Sequence, residues 1–110
     1  MLIRHADDVQ GHPADLAGAE GVTFRLVLGD SEGAPNFFMR QFDIIPGGHT
    51  PHHAHAHEHE VYVLAGTGVL VTDAGEQPIG AGDAALVAPN EAHQFRSTGV
   101  DDLKLLCFVP

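Results

Sequence analysis

The chain has 110 residues, with 5 lysines and arginines against 15 aspartates and glutamates, so its formal charge is −10 at pH 7. We expect a single domain spanning residues 1–110, because domains typically contain about 100–150 residues. The negative charge disfavours nucleic acid as a partner. No apolar run approaches the roughly 18 residues of a membrane span, and the first ten residues lack the apolar core of a signal peptide. We therefore expect a cytoplasmic protein that does not bind a membrane.

Short β-rich runs follow one another along the chain, separated by turns rich in glycine, proline and asparagine. This spacing predicts an all-β barrel or sandwich. The only helical candidate is Pro13–Ala19, which Gly18 weakens. The predicted strands are Val22–Leu28, Asn36–Ile45, Val61–Leu64, Val69–Thr72, Ala84–Ala88, His93–Ser97 and Leu103–Val109.

Histidine is the unusual component of the sequence: there are 9, and six of them lie between His49 and His59. Residues i and i+2 of a strand face the same side, so His53 and His55 are expected to project together. Their rings can then reach one ion, given metal–nitrogen bonds of about 2.1 Å. His59 and Glu60 begin the next apolar run and face opposite ways, so one of the two joins them, and His93 supplies a fourth ligand. Two alternatives stay open, a solvated tract that gathers metal loosely and histidines without a ligand role.

The histidine-rich segment resembles the first sequence motif of the cupin family, G(X)5HXH(X)3–4E(X)6G. Gly47 opens the motif, His53 and His55 form its HXH element, and Gly66 closes it. His59 then stands where the family usually has glutamate, and Glu60 faces away or contacts a ligand.

A second segment resembles the other cupin motif, G(X)5PXG(X)2H, through Gly82, Asp83 and His93. Three positions differ, since Ala88 replaces the usual proline, Asn90 the usual glycine and Ser97 the usual asparagine. Asparagine adopts the left-handed backbone conformation more readily than most residues, so Asn90 is an acceptable replacement.

The runs Ala34–Arg40, Glu58–Leu64 and Pro89–Phe95 resemble those of small bacterial monocupins that bind manganese through four histidines. The resemblance implies a single cupin β-barrel of jelly-roll type and a homodimer, for which residues 1–20 are a candidate interface segment. It implies a divalent metal, Mn²⁺ first and Fe²⁺ next, with Zn²⁺, Ni²⁺ or Cu²⁺ as ions acquired on purification. The implied ligands are His53, His55, His59 and His93.

Four neutral imidazoles leave the +2 charge of such an ion uncompensated, which favours an anionic ligand at its open positions. Together with the resemblance, this implies a Mn- or Fe-dependent oxygenase that cleaves a C=C bond in a small unsaturated or enolisable molecule. Two other functions stay open: a module that binds or senses small anions without turnover, and a non-oxidative isomerase, lyase or decarboxylase. Because ordinary histidine titrates near pH ~6.5, we expect metal release as the pH falls toward about 5.

Further residues are candidates for the pocket or for contacts to the ligands. His57 is a fifth imidazole that stands where the resembling proteins often have tryptophan. Arg40 either pairs with an acid such as Asp43 or Glu60 at the rim or points inward toward an anionic substrate. Cys107 is either a small buried apolar residue or a thiol that lines the pocket. The complete set is Arg40, Phe42, His57, Glu58, Glu60, Leu105 and Cys107.

Overall fold

The computed structural model describes residues 1–14 and 16–110, and the described chain is almost entirely β-structure. Two 3₁₀ turns, Ala6–Asp8 and Asp30–Glu32, are its helical elements. No helix of the described residues has the length and hydropathy needed to cross a membrane. The strands are β1 (His12–Pro13), β2 (Glu20–Leu28), β3 (Phe38–His49), β4 (His59–Ala65), β5 (Thr67–Thr72), β6 (Gly75–Gly80), β7 (Ala84–Val87), β8 (His93–Ser97) and β9 (Leu103–Val109).

One antiparallel sheet curls on itself, in the strand order β6-β5-β8-β3-β9-β4-β7, and β2 pairs with both β1 and β3. Strand β3 links the two halves, because Phe38–Ile44 pair with β9 whereas His49 pairs with Arg96 of β8. The bend between them contains Gly48, where an added Cβ would lie 2.6 Å from the carbonyl oxygen of Glu20. A side chain there would push β2 away from β3, so glycine keeps the curl closed.

The core lies on the inner face of the sheet. Strand β9 alternates strictly, with Leu103, Leu105, Cys107 and Val109 buried and the residues between them half-buried. Opposite it, Ile44 of β3 is fully buried. Burying a side chain of this size contributes about 1.5–3 kcal/mol, so these inward rows hold the sheet in its curled form.

Strands β8 and β9 have the predicted bounds, whereas β3 continues past Ile45 to His49. Strand β6 was not predicted, because Pro78 interrupts its sequence pattern. The structure accommodates Pro78 because β6 lies at the end of the strand order and pairs with β5 alone.

The helical prediction for Pro13–Ala19 is wrong for the residues that are described. Pro13 belongs to β1, and a turn lies at Ala17 and Gly18; Asp15 lies outside the described residues. This N-terminal segment lies along β2, where the Arg4 guanidinium donates a hydrogen bond of 3.0 Å to the carbonyl oxygen of Val27.

Candidate metal centre

Two backbone hydrogen bonds join the histidine-rich segment to β8. The N–H of His53 donates to the carbonyl oxygen of His93 at 3.1 Å, and the N–H of His93 donates in return at 2.9 Å. His59 opens β4 and His93 opens β8. The expectation that His53 and His55 share a regular strand is wrong, since His53 forms an isolated bridge and His55 lies in a loop.

The loop before β8 positions His55. The N–H of Asn90 donates a 2.7 Å hydrogen bond to the carbonyl oxygen of His55. Asn90 has a φ of 64°, the left-handed conformation expected at this glycine position of the motif. The replacement therefore preserves the turn that brings the two segments together.

The structure brings the four predicted ligand side chains into one cluster. The ring of His55 lies 5.2 Å from that of His53, 4.9 Å from that of His93 and 4.1 Å from that of His59, between centroids. One nitrogen from each of His53, His55 and His93 lies within 4.8 Å of the others. His59 stacks on His55 at 14°, so a shared ion requires one of these two rings to rotate.

Hydrogen bonds define which nitrogen of two rings is free to bind an ion. Nδ1 of His55 lies 2.8 Å from the carbonyl oxygen of His57, and Nδ1 of His93 lies 2.8 Å from that of Glu91. A carbonyl oxygen only accepts, so each Nδ1 carries the proton and each Nε2 presents a lone pair. Nε2 of both His55 and His59 is buried and has no hydrogen-bond partner among the described residues. These are the donor atoms and the outer contacts that a divalent cation requires.

The second ring nitrogen of His59, Nδ1, contacts a side chain, whereas Nδ1 of His55 and of His93 contacts a backbone carbonyl. Nδ1 of His59 lies 3.3 Å from Sγ of Cys107, and Nη2 of Arg40 donates to the same sulfur at 3.1 Å. Burial raises the pKa of the Cys107 thiol, against the opposing effect of the Arg40 charge. The thiol is therefore neutral at pH 7 and leaves the charge of Arg40 uncompensated.

Burial also lowers the pKa of three of the clustered imidazoles, those of His53, His59 and His93, and so favours their neutral form. It lowers the pKa of His59 to about 3, with Arg40 and His55 adding to the effect. Burial and the neighbouring rings of His93 and His55 lower the pKa of His53. The pKa of His93 is lowered by burial, although its bond to the Glu91 carbonyl acts in the opposite direction. Neutral imidazole is the form that binds metal.

A cavity of about 180 Å³ opens beside the cluster. Pockets for drug-sized ligands hold roughly 300–1,000 Å³, so this one suits a small molecule. Arg40, Phe42, Leu105 and Cys107 line it, and Cys107 is at the same time buried in the core. Sequence reasoning missed the remaining lining residues, whose small or apolar side chains carry no distinctive pattern: Ala14, Leu16, Ala19, Val22, Thr50, Pro51, Val61 and Phe95.

The other pocket candidates take different positions. His57 lines the cavity, is exposed, and stacks on His55 at 4.3 Å and 6°. With His55 and His59 it forms a second group of nitrogens within 4.8 Å of one another. Glu58 and Glu60 are both exposed and lie outside this cavity, on another surface depression. The Nδ1 contacts described above go to backbone carbonyls and to Cys107 instead of to these carboxylates.

Comparison with known proteins identifies the family. The cupin domain family Cupin_2 matches residues 40–109. The chain is 28% identical over 113 residues to the oxalate-binding protein of Thermotoga maritima, covering 99% of this chain and 93% of that protein. The structure of the polyketide cyclase RemF from Streptomyces resistomycificus is 33% identical, with a TM-score of 0.95 over 100% of this chain and 79% of that one. Together with the curled sheet and the two matching motifs, these similarities establish that the chain belongs to the cupin family.

Proposed function

We propose that this cupin binds a divalent metal ion through His53, His55, His59 and His93 and uses it as a Lewis acid on a small enolisable carbonyl compound. The observation that carries the proposal is the pair of buried Nε2 atoms, on His55 and His59, that have no hydrogen-bond partner among the described residues. A buried polar atom without a partner costs about 1–3 kcal/mol, and a bound cation would remove that cost. We propose Mn²⁺ as the ion, with Fe²⁺ next.

The residues around the ion would set its reactivity. A divalent ion held by the four histidines would supply Lewis-acid polarisation of a carbonyl oxygen. Four imidazoles carry no negative charge, so they would leave the ion more electrophilic than a set containing a carboxylate. Val61, Phe95 and Leu105 line the cavity and would exclude water from the bound compound, which strengthens electrostatic interactions there.

The similarity to the polyketide cyclase supports this class of reaction. Polyketides carry repeated enolisable carbonyl groups, and their cyclisation forms a bond between an enol carbon and a second carbonyl carbon. The 33% identity and the full coverage of this chain motivate the comparison with that class. We therefore propose an intramolecular aldol-type cyclisation, in which no oxidant takes part.

Oxygenase chemistry is the second candidate. The motif-level resemblance to manganese-binding monocupins supports it, and so does the number of protein ligands, since four leave two positions of an octahedral ion open for O₂ or a bidentate substrate. This candidate requires O₂ and the cleavage of a C=C bond, whereas cyclisation requires neither.

Heptane-2,6-dione separates the two reactions, because its intramolecular aldol condensation releases one water and gives an enone that absorbs in the ultraviolet. We expect the Mn²⁺ protein to form this enone without O₂, and the metal-free protein and His55→Ala not to form it. His52→Ala is the matched control, since His52 is exposed and lies outside the cavity lining.

A parallel experiment supplies O₂ and styrenic and enolic compounds to the Mn²⁺ and Fe²⁺ forms. Oxygen consumption with cleavage of the C=C bond, and no enone under anaerobic conditions, would replace the cyclase proposal with the oxygenase. Tight binding with no product under either condition would leave a binding module, as the similarity to an oxalate-binding protein suggests.

A further inference from the structure

We propose that Arg40 is an anion-binding residue that selects a substrate with a carboxylate at one end and an enolisable carbonyl at the other. The inference rests on the proposed function, since the carbonyl end would bind the metal ion. It adds the second point of attachment and so defines the chemical class of the substrate.

The barrel directs Arg40 into the metal cavity. On β3 its Cα lies opposite that of Cys107 on β9, and β9 turns Leu105 and Cys107 toward the core. The guanidinium carbon of Arg40 lies 5.2 Å from the centre of the Phe42 ring, and its Nη2 donates to Sγ of Cys107. These contacts hold the guanidinium at the cavity wall beside the residue that contacts His59.

The charge of Arg40 is not neutralised by the described residues. The carboxylate expected from the sequence, Asp43, pairs with Arg25 instead. The ion pairs of residues 1–14 and 16–110 involve Arg4, His5, Arg25 and His49, and none involves Arg40. The Nε atom of Arg40 is buried and unpartnered as well. A half-buried guanidinium whose described contacts are the sulfur of Cys107 and the ring of Phe42, with no carboxylate among them, retains its capacity to bind an anion.

The lining of the cavity favours an organic anion. Arg40 and the histidines line the same cavity, and apolar side chains such as Val61 and Leu105 line it with them. A ligand that contacts both Arg40 and a metal ion at the histidines needs a carboxylate and a carbonyl on one short carbon chain. The carboxylate also matches the two parallel N–H groups that a guanidinium presents.

The test compares two ligands that share one carbon skeleton and differ at the carboxyl end, 3,5-dioxohexanoate and its uncharged methyl ester, by calorimetric titration of the Mn²⁺-loaded protein. Charge-assisted hydrogen bonds contribute about 1.5–3 kcal/mol, so we expect the wild type to prefer the acid about 10- to 100-fold. Arg40→Gln should lose this preference, and its affinity for the ester and its metal content should stay at the wild-type values. Arg40→Lys should keep a reduced preference, since it retains the charge and loses the planar donor pair.

Arg96→Gln is the matched control, because Arg96 is exposed on β8 and should keep the full preference for the acid. Unchanged ester affinity and metal content in Arg40→Gln show that the variant is folded. If it still prefers the acid as the wild type does, the role of Arg40 is refuted and the proposed function stands. If neither ligand binds the metal-loaded wild type, the proposed function fails and the substrate class fails with it.

Discussion

The backbones of His53 and His93 exchange two hydrogen bonds, of 3.1 and 2.9 Å, although 40 positions separate the two residues in the chain. This bridge joins the two cupin motifs at the point where their histidines meet. The ring centroids of the pair lie 5.2 Å apart as a result. The site is therefore held by main-chain bonds that do not depend on which ion is bound.

Removal of one proposed ligand should abolish metal-dependent stabilisation. A ligand at 100 times its Kd stabilises the folded state by about 2.7 kcal/mol, and each kcal/mol shifts the Tm of a domain of this size by roughly 4–8 °C. We expect Mn²⁺ to raise the Tm of the wild type and of His52→Ala, and not that of His55→Ala. Thermal unfolding with and without Mn²⁺ measures the effect. If Mn²⁺ raised the Tm of His55→Ala equally, His55 would not be a ligand.

The metal-free protein should lose stability as the pH falls. Unfolded histidine has a pKa near ~6.5, whereas burial lowers the pKa of folded His59 to about 3. Between these values the unfolded state binds more protons than the folded state, so acid favours unfolding. The free energy of unfolding, measured with urea at pH 7, 6, 5 and 4, should decline steadily. His59→Gln should make this decline less steep. If the decline is equally steep in the variant, groups other than His59 cause it.

The lowered ligand pKa values also affect metal release. If the ligands had the ordinary pKa of histidine, the metal would be released as the pH falls toward about 5. Burial lowers the pKa of His53, His59 and His93, so protons compete less well and release should occur at a lower pH. Bound Mn²⁺ measured after dialysis at a series of pH values tests this. A midpoint at pH 6 or above would contradict the buried imidazole set.

Replacement of Asn90 by glycine should leave the stability of the fold nearly unchanged, whereas replacement by a β-branched residue should lower it. Its φ of 64° lies in the left-handed region, which costs most residues about 1–2 kcal/mol. We expect the free energy of unfolding of Asn90→Gly to lie within about 0.5 kcal/mol of the wild-type value, and that of Asn90→Val to be about 1–2 kcal/mol lower. Because the N–H of Asn90 holds the carbonyl of His55, the valine variant should also bind Mn²⁺ more weakly. Equal stability of the two variants would rule out backbone strain as the cause.

Cys107 should act as a polar neighbour of the ligands as well as a core residue. It is 3% exposed, and its sulfur contacts both Arg40 and His59. Cys107→Val removes the polar atom and adds about one methyl group of volume, so it should destabilise the metal-free protein by about 1–3 kcal/mol. Cys107→Ser keeps a hydrogen-bonding atom and should lose less. Urea unfolding compares the two, and a serine variant less stable than the valine variant would show that Cys107 acts through packing alone.

Patterns that are local in the chain predicted much of the fold. The bounds of β9 were predicted correctly from its apolar run, and side-chain alternation puts Leu105 and Cys107 on one face of it. Strand β6 was missed because its proline is acceptable only at a sheet edge, and edge position is a property of the assembled sheet. His53 and His55 were placed on a strand, yet the loop that carries them is shaped by bonds to Asn90 and His93.

By itself, the sequence indicated the family and the β-rich fold, because motif spacing and side-chain alternation act over a few residues, and the resemblance implied the four histidines proposed as ligands. Tertiary structure alone decided the environment of these histidines. It placed Arg40 in the cavity, paired Asp43 with Arg25, set Cys107 against His59, and left Glu58 and Glu60 in solvent. These relationships depend on which strands pair and how the sheet curls. Both follow from contacts between residues far apart in the chain, which no local pattern records.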